Sequence, residues 1–265
     1  GNKNNSGFLP HERQWFADLL EDGWIDLVRH QLGEVQGPYS WWSNRGNFEF
    51  APAPPLGGAP ANVTAITAVD LDRDVDLDLV VGLETGAIGY FENLRHGTFR
   101  YREIGGNAAA LKDAVVSLEV ADIDGNVSWD IVAAAETGVA LYSSRWIEPG
   151  EVQFEPPALA GDQSQAGFLI ADLNNSGRLD LASWSADSFR VASAVDKRLT
   201  SLPGEEISGP FAGNQDRVAT CDFDGDGDLD LLGVGGGQTV LLVNDAAAKG
   251  SWLEIGLLAQ QLKGT

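Results

Sequence analysis

Short apolar runs alternate with short polar stretches along the whole chain. No segment keeps a 3.6-residue apolar period over about 12 residues or more, so the pattern does not favour long helices. The runs are rich in β-branched and aromatic residues and are separated by Gly, Asp and Asn, which is typical of β strands. The pattern therefore predicts an all-β protein.

The predicted strands recur in groups of four around an acidic loop. The run before the loop is Val63 to Val69, Val115 to Ala121, Gly167 to Ala171 or Val218 to Cys221, and the run after it is Leu77 to Gly82, Ile131 to Ala134, Leu179 to Trp184 or Leu229 to Val234. A third run follows a tight turn, at Ile88 to Phe91, Val139 to Tyr142, Phe189 to Ala192 or Thr239 to Val243. A weaker fourth run completes the unit, at Thr98 to Ile104, Val152 to Glu155 or Trp252 to Leu257.

The acidic loops set the period of this repeat. They run from Asp70 to Asp78, Asp122 to Asp130, Asp172 to Asp180 and Asp222 to Asp230, with a degenerate copy from Asp18 to Asp26, and successive loops start 50 or 52 residues apart. About four strands per repeat of this length is typical of a β-propeller blade. We therefore predict a single β-propeller domain over residues 1–265, with blades that start near residues 14, 63, 115, 165 and 216. These five repeats would form a five-bladed ring or part of a larger propeller.

The loop from Asp222 to Asp230 has an aspartate at every second position. Carboxylates packed this closely repel one another, and a cation would draw them together. Ca²⁺ takes six to eight oxygen ligands, which carboxylates at loop positions 1, 3, 5 and 9 and a backbone carbonyl at position 7 can supply. Gly227, at position 6, permits the sharp turn because glycine reaches positive φ without steric cost. The pattern therefore favours a calcium loop over a solvated acidic turn.

The loops are followed by Leu-Asp-Leu and by strands that read Tyr-Phe-Glu-Asn or Leu-Leu-Val-Asn. In these features they resemble the FG-GAP/VCBS repeats of integrin-alpha-like β-propellers, and the resemblance extends from about Phe16 to Leu257. Residues 245–265 are similar to the start of an ASPIC/UnbV module, which would be cut short here. The resemblance implies Ca²⁺ held by oxygens of loop positions 1, 3, 5, 7 and 9.

The implied calcium ligands differ from loop to loop, and position 7 contributes its backbone carbonyl. They are Asp70, Asp72, Asp74, Asp76 and Asp78; Asp122, Asp124, Asn126, Ser128 and Asp130; Asp172, Asn174, Ser176, Arg178 and Asp180; and Asp222, Asp224, Asp226, Asp228 and Asp230. The loop from Asp172 carries fewer charges and is expected to bind more weakly, while the loop from Asp18, with Leu20 at position 3, is expected to bind nothing. Three or four structural calcium sites are therefore expected.

Two loops carry valine where glycine is usual. Val75 and Val127 occupy position 6, and a valine at positive φ would cost about 1–3 kcal/mol. These two loops are therefore expected to turn by a different backbone path.

Charge narrows the choice of partners. The 265 residues carry a formal net charge of −22 and a sequence pI of about 4.2, which disfavours nucleic acid and anionic membrane surfaces and suits divalent cations.

No apolar run approaches the ~18 residues of a membrane-spanning helix. Cys221, the single cysteine, is expected to be a buried structural thiol. Sub-millimolar calcium sites would stay empty in the cytosol, so an extracytoplasmic location is expected: periplasmic, cell-surface or secreted.

A non-enzymatic interaction or scaffold module is the favoured function, as a subunit of a larger cell-envelope assembly with other protein subunits as partners. Tyr39, Trp41 and Trp42, beside Arg45, are its candidate contact residues, because Trp and Arg are common in interface hot spots. Packing in the core of a blade is an equally good interpretation of these aromatic residues.

A carbohydrate-binding propeller is the alternative, with Trp129, Trp146 and Trp184 stacking on sugar rings, although burial between blades is favoured for each. An enzyme is disfavoured because nearly all the paired carboxylates lie in the proposed metal loops. The sequence also contains no Gly-x-Ser-x-Gly, His-Glu-x-x-His or phosphate-loop motif.

Overall fold

The computed structural model describes residues 12–20, 22–23, 25–31, 40–47, 49–53, 56, 58–59, 61–105, 111–159, 167–184, 189–195, 198–201, 215–235 and 238–244. These residues form β strands and no helix. The all-β prediction is therefore confirmed over the part of the chain that the structure describes. None of these residues belongs to a helix long and apolar enough to cross a membrane.

The strands form five successive antiparallel sheets and one separate hairpin. The first sheet contains β1 (Glu12–Ala17), β2 (Asp26–Gln31), β3 (Ser40–Asn44) and β4 (Phe50–Pro52), and the second contains β5 (Val63–Val69), β6 (Asp78–Leu83), β7 (Ile88–Asn93) and β8 (Phe99–Ile104). The third contains β9 (Val115–Ala121), β10 (Asp130–Ala135), β11 (Gly138–Tyr142) and β14 (Ala158–Leu159). Between β11 and β14 the chain forms the separate hairpin of β12 (Ser144–Glu148) and β13 (Glu151–Phe154). The fourth contains β15 (Gly167–Ala171), β16 (Asp180–Trp184), β17 (Phe189–Val195) and β18 (Arg198–Ser201), and the fifth contains β19 (Gln215–Cys221), β20 (Asp230–Gly235) and β21 (Gln238–Leu242).

Consecutive sheets lie beside one another and share their cores. The first strands of neighbouring sheets are in contact: β5 with β9, β9 with β15, and β15 with β19. Each apolar cluster lies between two consecutive sheets. Along β6, Leu79 and Val81 face the cluster shared with the first sheet, whereas Val80 faces the cluster shared with the third. Burial on both faces explains why this strand is a continuous apolar run. The arrangement is β-propeller-like; the blade number and the closure of a ring stay predictions.

The third sheet differs from the expected pattern. The run from Val152 to Glu155 was predicted to be its fourth strand, but residues 151–154 form β13 and pair with β12. The outer strand of the sheet is instead β14, which pairs with β11. The additional hairpin projects from the repeat, and no spacing in the sequence distinguishes it from a fourth strand. The predicted Trp252 to Leu257 strand and the segment 245–265 lie outside the described residues.

The aromatic side chains and the cysteine have distinct environments. Trp41 and Trp184 are buried, with 1% and 5% of their surface exposed, while Trp42 and Trp129 are half-buried. Trp146 is 38% exposed. Tyr39 lies outside the described residues. Cys221 is exposed at the end of β19, so the expectation of a buried structural thiol is wrong.

The two valine loops turn in the same way as the glycine loops. Val75 and Val127 have φ values of 83° and 71°, and Gly177 and Gly227, in the equivalent positions, have 78° and 94°. The expectation of a different backbone path is therefore wrong. In the second valine loop, the Val127 amide donates to Asp122 Oδ2 at 2.9 Å, and this bond favours the turn whatever the side chain.

Val75→Gly is expected to raise the free energy of unfolding by about 1 kcal/mol. Removing a positive-φ valine relieves about 1–3 kcal/mol of strain, and the greater freedom of glycine in the unfolded chain offsets about 0.4–1 kcal/mol. The Val75 side chain is 78% exposed, so little packing is lost. Urea unfolding of the variant measures the effect. Val116→Gly is the control, because Val116 is an exposed residue of β9 without positive φ; it should destabilise, and an equal loss in both variants would refute the strain.

Candidate metal centre

The acidic loops occupy the same place in every sheet, between the first and second strands. The aspartate at loop position 1 folds each loop around its carboxylate. Asp122 accepts the amides of Asn126 and Val127 at 3.0 and 2.9 Å. The same pair of bonds forms at Asp172, with Ser176 and Gly177, at Asp222, with Asp226 and Gly227, and at Asp18, with Asp22 and Gly23. The degenerate first loop therefore keeps this pair of bonds.

The aspartate at loop position 9 is the first residue of the second strand and acts as a staple. Asp78 is 1% exposed, and its carboxylate accepts the amides of Leu71 at 3.1 Å and Asn93 at 2.8 Å. Equivalent bonds join Asp26 to Leu19 and Asn44, Asp130 to Ile123 and Ser144, and Asp230 to Phe223 and Asn244. Burial raises the pKa of Asp78 to about 8. This residue therefore joins the loop to the end of the third strand, a role the sequence analysis did not assign.

The asparagine that ends the third strand links neighbouring sheets. Asn93 Nδ2 donates to the carbonyl of Leu77 in its own loop, at 3.2 Å, and to that of Leu19 in the loop of the preceding sheet, at 3.0 Å. Asn244 makes the same two bonds, to Leu229 at 3.2 Å and to Leu173 at 2.7 Å. The signal for this role was present in the sequence, as the asparagine that ends both Tyr-Phe-Glu-Asn and Leu-Leu-Val-Asn.

Among the residues that the structure describes, three groups of carboxylates could hold a metal ion. In each, one oxygen per residue lies within 4.8 Å of the others; the groups are Asp70, Asp72 and Asp74; Asp122, Asp124 and Asp130; and Asp222, Asp224 and Asp230. All nine residues are among the predicted ligands.

The other predicted ligands have partners within the protein. The Asn126 amide donates to Asp124 Oδ2 at 3.2 Å and to the Ser144 carbonyl at 2.8 Å. Asn174 Nδ2 donates to Asp180 Oδ1 at 3.3 Å, and the Ser176 hydroxyl accepts the Arg178 amide at 3.3 Å. Asp226 Oδ1 accepts the Asp228 amide at 2.9 Å. These bonds position the loops and leave the ligand role of these residues a prediction.

Three side chains at position 7 contact other parts of the chain. Asp76 is 1% exposed and forms an ion pair with Arg95 at 2.6 Å. The Ser128 hydroxyl accepts the Trp146 amide at 2.8 Å, and Asp228 Oδ1 accepts the amide of Asn175 at 2.6 Å. These contacts leave the backbone carbonyl as the group that position 7 would offer to a metal.

Asp72 is the strongest structural sign of a cation. Its side chain is completely buried, and among the described residues neither carboxylate oxygen has a hydrogen-bond donor; Asp70 Oδ1 is also buried without one. Burial, followed by the negative charge of Asp74, raises the pKa of Asp72 to about 6. The nearby Asp74 amide lowers this pKa but does not donate at hydrogen-bond geometry. An unpaired buried carboxylate costs several kcal/mol, and a hard cation with oxygen ligands would offset that cost.

The loops differ in how far they bury their carboxylates. The loop from Asp222 to Asp230 keeps every ligand type, but Asp222 and Asp224 are exposed. In the loop from Asp70, Asp72 is buried, Asp70 and Asp74 are half-buried, and the β12–β13 hairpin contacts the loop. The Trp146 indole N–H and the Gly150 amide both donate to the Asp72 carbonyl, at 3.2 and 3.1 Å. This contact between sheets could not be read from the loop sequence.

A further contact joins two of the acidic loops. The guanidinium of Arg73 lies 6.0 Å from the ring centre of Trp129 and 5.9 Å from that of Trp146, and it donates to the Val127 carbonyl. A cation–π contact of this kind contributes about 0.5–2 kcal/mol. The loops from Asp70 and Asp122 and the intervening hairpin therefore form one connected cluster.

These features define an all-β, β-propeller-like protein of repeated antiparallel sheets with an aspartate-rich loop in each. The model of the FG-GAP-like repeat matches residues 18–81 and 172–233. Residues 18–81 and 172–233 are therefore similar to FG-GAP-like repeats, and the first match includes the degenerate loop from Asp18.

A solved structure with a similar fold is that of an Agrocybe aegerita lectin that recognises non-reducing terminal N-acetylglucosamine. The similarity has a TM-score of 0.57 at 20% identity and covers 92% of this chain and 66% of the lectin chain. At this identity the comparison shows the fold alone.

Short segments also match curated exodeoxyribonucleases. The enzyme of Bacillus subtilis is 48% identical over 44 residues, which are 17% of this chain and 18% of the enzyme. Two enzymes of Streptococcus pneumoniae are 41% identical over 44 residues, or 16% of their length. The chain spans less than a fifth of these relatives, and such short matches do not transfer an activity.

Proposed function

We propose that this chain is a non-enzymatic, calcium-binding β-propeller that acts as an interaction or scaffold module. The completely buried Asp72, whose carboxylate lacks any donor, is the observation that carries the proposal. The three carboxylate groups supply oxygen ligands only, which suits Ca²⁺ rather than a softer metal. The bound ions would offset part of the −22 net charge, which otherwise strains the compact state by self-repulsion.

The β12–β13 hairpin supports the interaction role. Trp146 and Ile147 are each 38% exposed on this hairpin, outside the four-stranded sheets. Tryptophan is enriched in interface hot spots. The bond of the Trp146 indole to the Asp72 carbonyl would let a bound metal hold this surface in place. Protein subunits of a larger envelope assembly are the proposed partners.

An extracytoplasmic location follows from the calcium proposal. Calcium sites of extracellular modules bind in roughly the 0.1–1 mM range. Such sites fill in a periplasmic, cell-surface or secreted setting and stay empty at cytosolic calcium concentrations.

Calorimetric titration of Ca²⁺ into chelator-treated protein tests the proposal. We expect up to three saturable sites with dissociation constants of about 0.1–1 mM, and Asp72→Asn should remove one of them. Asp22→Asn is the matched control, because Asp22 is an exposed aspartate of the degenerate loop, and it should leave the titration unchanged. Absence of saturable heat in the wild-type protein would refute calcium binding.

A carbohydrate-binding module is the second candidate. The similar fold of the Agrocybe aegerita lectin, which recognises terminal N-acetylglucosamine, supports this candidate. Of the three tryptophans considered for sugar stacking, Trp184 is too buried to present its ring, and Trp146 is the most exposed. A cavity beside the β12–β13 hairpin supports this candidate more specifically than the similarity of fold does.

A further inference from the structure

A cavity of about 390 Å³ opens between the second sheet and the β12–β13 hairpin. One wall comes from the second sheet, through Tyr90, Arg102 and Glu103, and the other from the hairpin and the residues after it, through Val152, Phe154 and Glu155. This volume lies within the range of small-ligand sites, about 300–1,000 Å³. None of the predicted metal ligands lines the cavity.

Arg102, which lines the cavity, is held in place by an ion pair with the buried Glu92. Arg102 Nε donates to Glu92 Oε2 at 2.6 Å, and Arg100 donates to both Glu92 oxygens at 2.8 and 2.9 Å. Glu92 is 6% exposed; burial opposes its ionisation, but the bonds from Arg102 and Arg100 outweigh burial and lower its pKa. The Arg102 side chain is 45% exposed, so this anchored guanidinium still has N–H donors to offer.

Tyr90 adds a second polar group. Tyr90 is buried, with 8% of its surface exposed, and it lines the cavity. Burial raises the pKa of Tyr90 to about 12, so the hydroxyl stays neutral and can both donate and accept. Phe154 and Val152, both half-buried, give the opposite wall an apolar face.

The geometry points to a binding site for a neutral sugar residue between the second sheet and the hairpin. A sugar ring carries hydroxyls that would accept from Arg102 and donate to Glu103, and a C–H face that would pack on Phe154. An anionic ligand is disfavoured by Glu103, Glu155 and the −22 net charge. A cationic ligand would meet the guanidinium of Arg102. The inference deepens the second candidate function and does not depend on the calcium loops.

Arg102→Gln and Arg100→Gln form a matched pair of variants. Both remove a bond to Glu92, but only Arg102 lines the cavity. The wild-type protein is first screened on an array of neutral mono- and oligosaccharides. The best ligand is then titrated by calorimetry at up to about 10 mM, well above a millimolar dissociation constant.

We expect Arg102→Gln to weaken binding at least tenfold and Arg100→Gln to leave it within twofold. Equal losses in both variants, or unchanged binding by Arg102→Gln, would place the sugar elsewhere. Either result would refute the cavity as the binding site but would leave the carbohydrate function standing. If no neutral sugar binds the wild-type protein, both the cavity site and the carbohydrate function fail. Calcium titration of the same samples reports on the primary proposal independently.

Discussion

Asp78→Ala is expected to lower the free energy of unfolding by about 3–5 kcal/mol. The change removes the acceptor of two buried bonds and leaves the amides of Leu71 and Asn93 without a partner. Each unsatisfied buried donor costs about 1–3 kcal/mol, and the lost side chain also leaves a small cavity. Urea unfolding of the wild-type and variant proteins measures the effect.

The control for Asp78→Ala is Asp78→Asn, which keeps one carbonyl oxygen as an acceptor and should lose less stability, about 1–2 kcal/mol. Repeating the unfolding in chelator distinguishes the role of Asp78 as a hydrogen-bond acceptor from a role as a metal ligand. Because the two bonds are made within the protein, most of the loss should persist without calcium. A loss that disappears in chelator would show that Asp78 acts mainly through the metal.

Asp72→Asn is expected to stabilise the protein in chelator and to lose most of this advantage in calcium. In chelator at pH 7.5, the variant should be more stable than the wild-type protein by about 2 kcal/mol, since a buried carboxylate with a raised pKa becomes a neutral amide. In calcium, the stabilisation by the ion should fall by about 1.4 kcal/mol, which is one site at tenfold excess over its dissociation constant.

The pH dependence of the free energy of unfolding shows whether the charged Asp72 carboxylate destabilises the calcium-free fold. The pKa of Asp72 is about 6 in the folded protein against a usual 3.8. Protonation therefore stabilises the calcium-free fold, fully below about pH 4, and this contribution is lost as the pH rises through 6. The advantage of Asp72→Asn in chelator should accordingly shrink as the pH falls from 7.5 towards 4. A constant difference across this window would show that Asp72 is not a buried carboxylate.

The strands were predictable because each repeat obeys local rules. The first strands at Val63–Val69 and Val115–Ala121 begin and end where the apolar runs do, since an apolar run between acidic and glycine-rich turns has few other conformations. The loop positions were predictable for the same reason. The aspartate at position 9 was recognised, but its bonds to the end of the third strand depend on the pairing of β6 with β7.

What sequence reasoning missed depends on contacts between sheets. The enclosure of Asp72 depends on Trp146 and Gly150, which are more than 70 residues away in the chain. The positive φ of Val75 and Val127 also ran against a residue preference, because the loop conformation outweighs it. The cavity beside Arg102 forms only where the unexpected hairpin faces β8. For Asp72 and the cavity a tertiary contact outweighed a local rule, and for the two valines the conformation of the loop did.

The melting temperature of the wild-type protein, with millimolar calcium and with chelator, tests the central claim most directly. Three sites at tenfold excess would together add about 4 kcal/mol, and for a chain of this size each kcal/mol raises the melting temperature by about 2–4 °C. The proposal that these loops hold calcium therefore predicts a melting temperature roughly 8–16 °C higher in calcium. The same melting temperature in calcium and in chelator would contradict it.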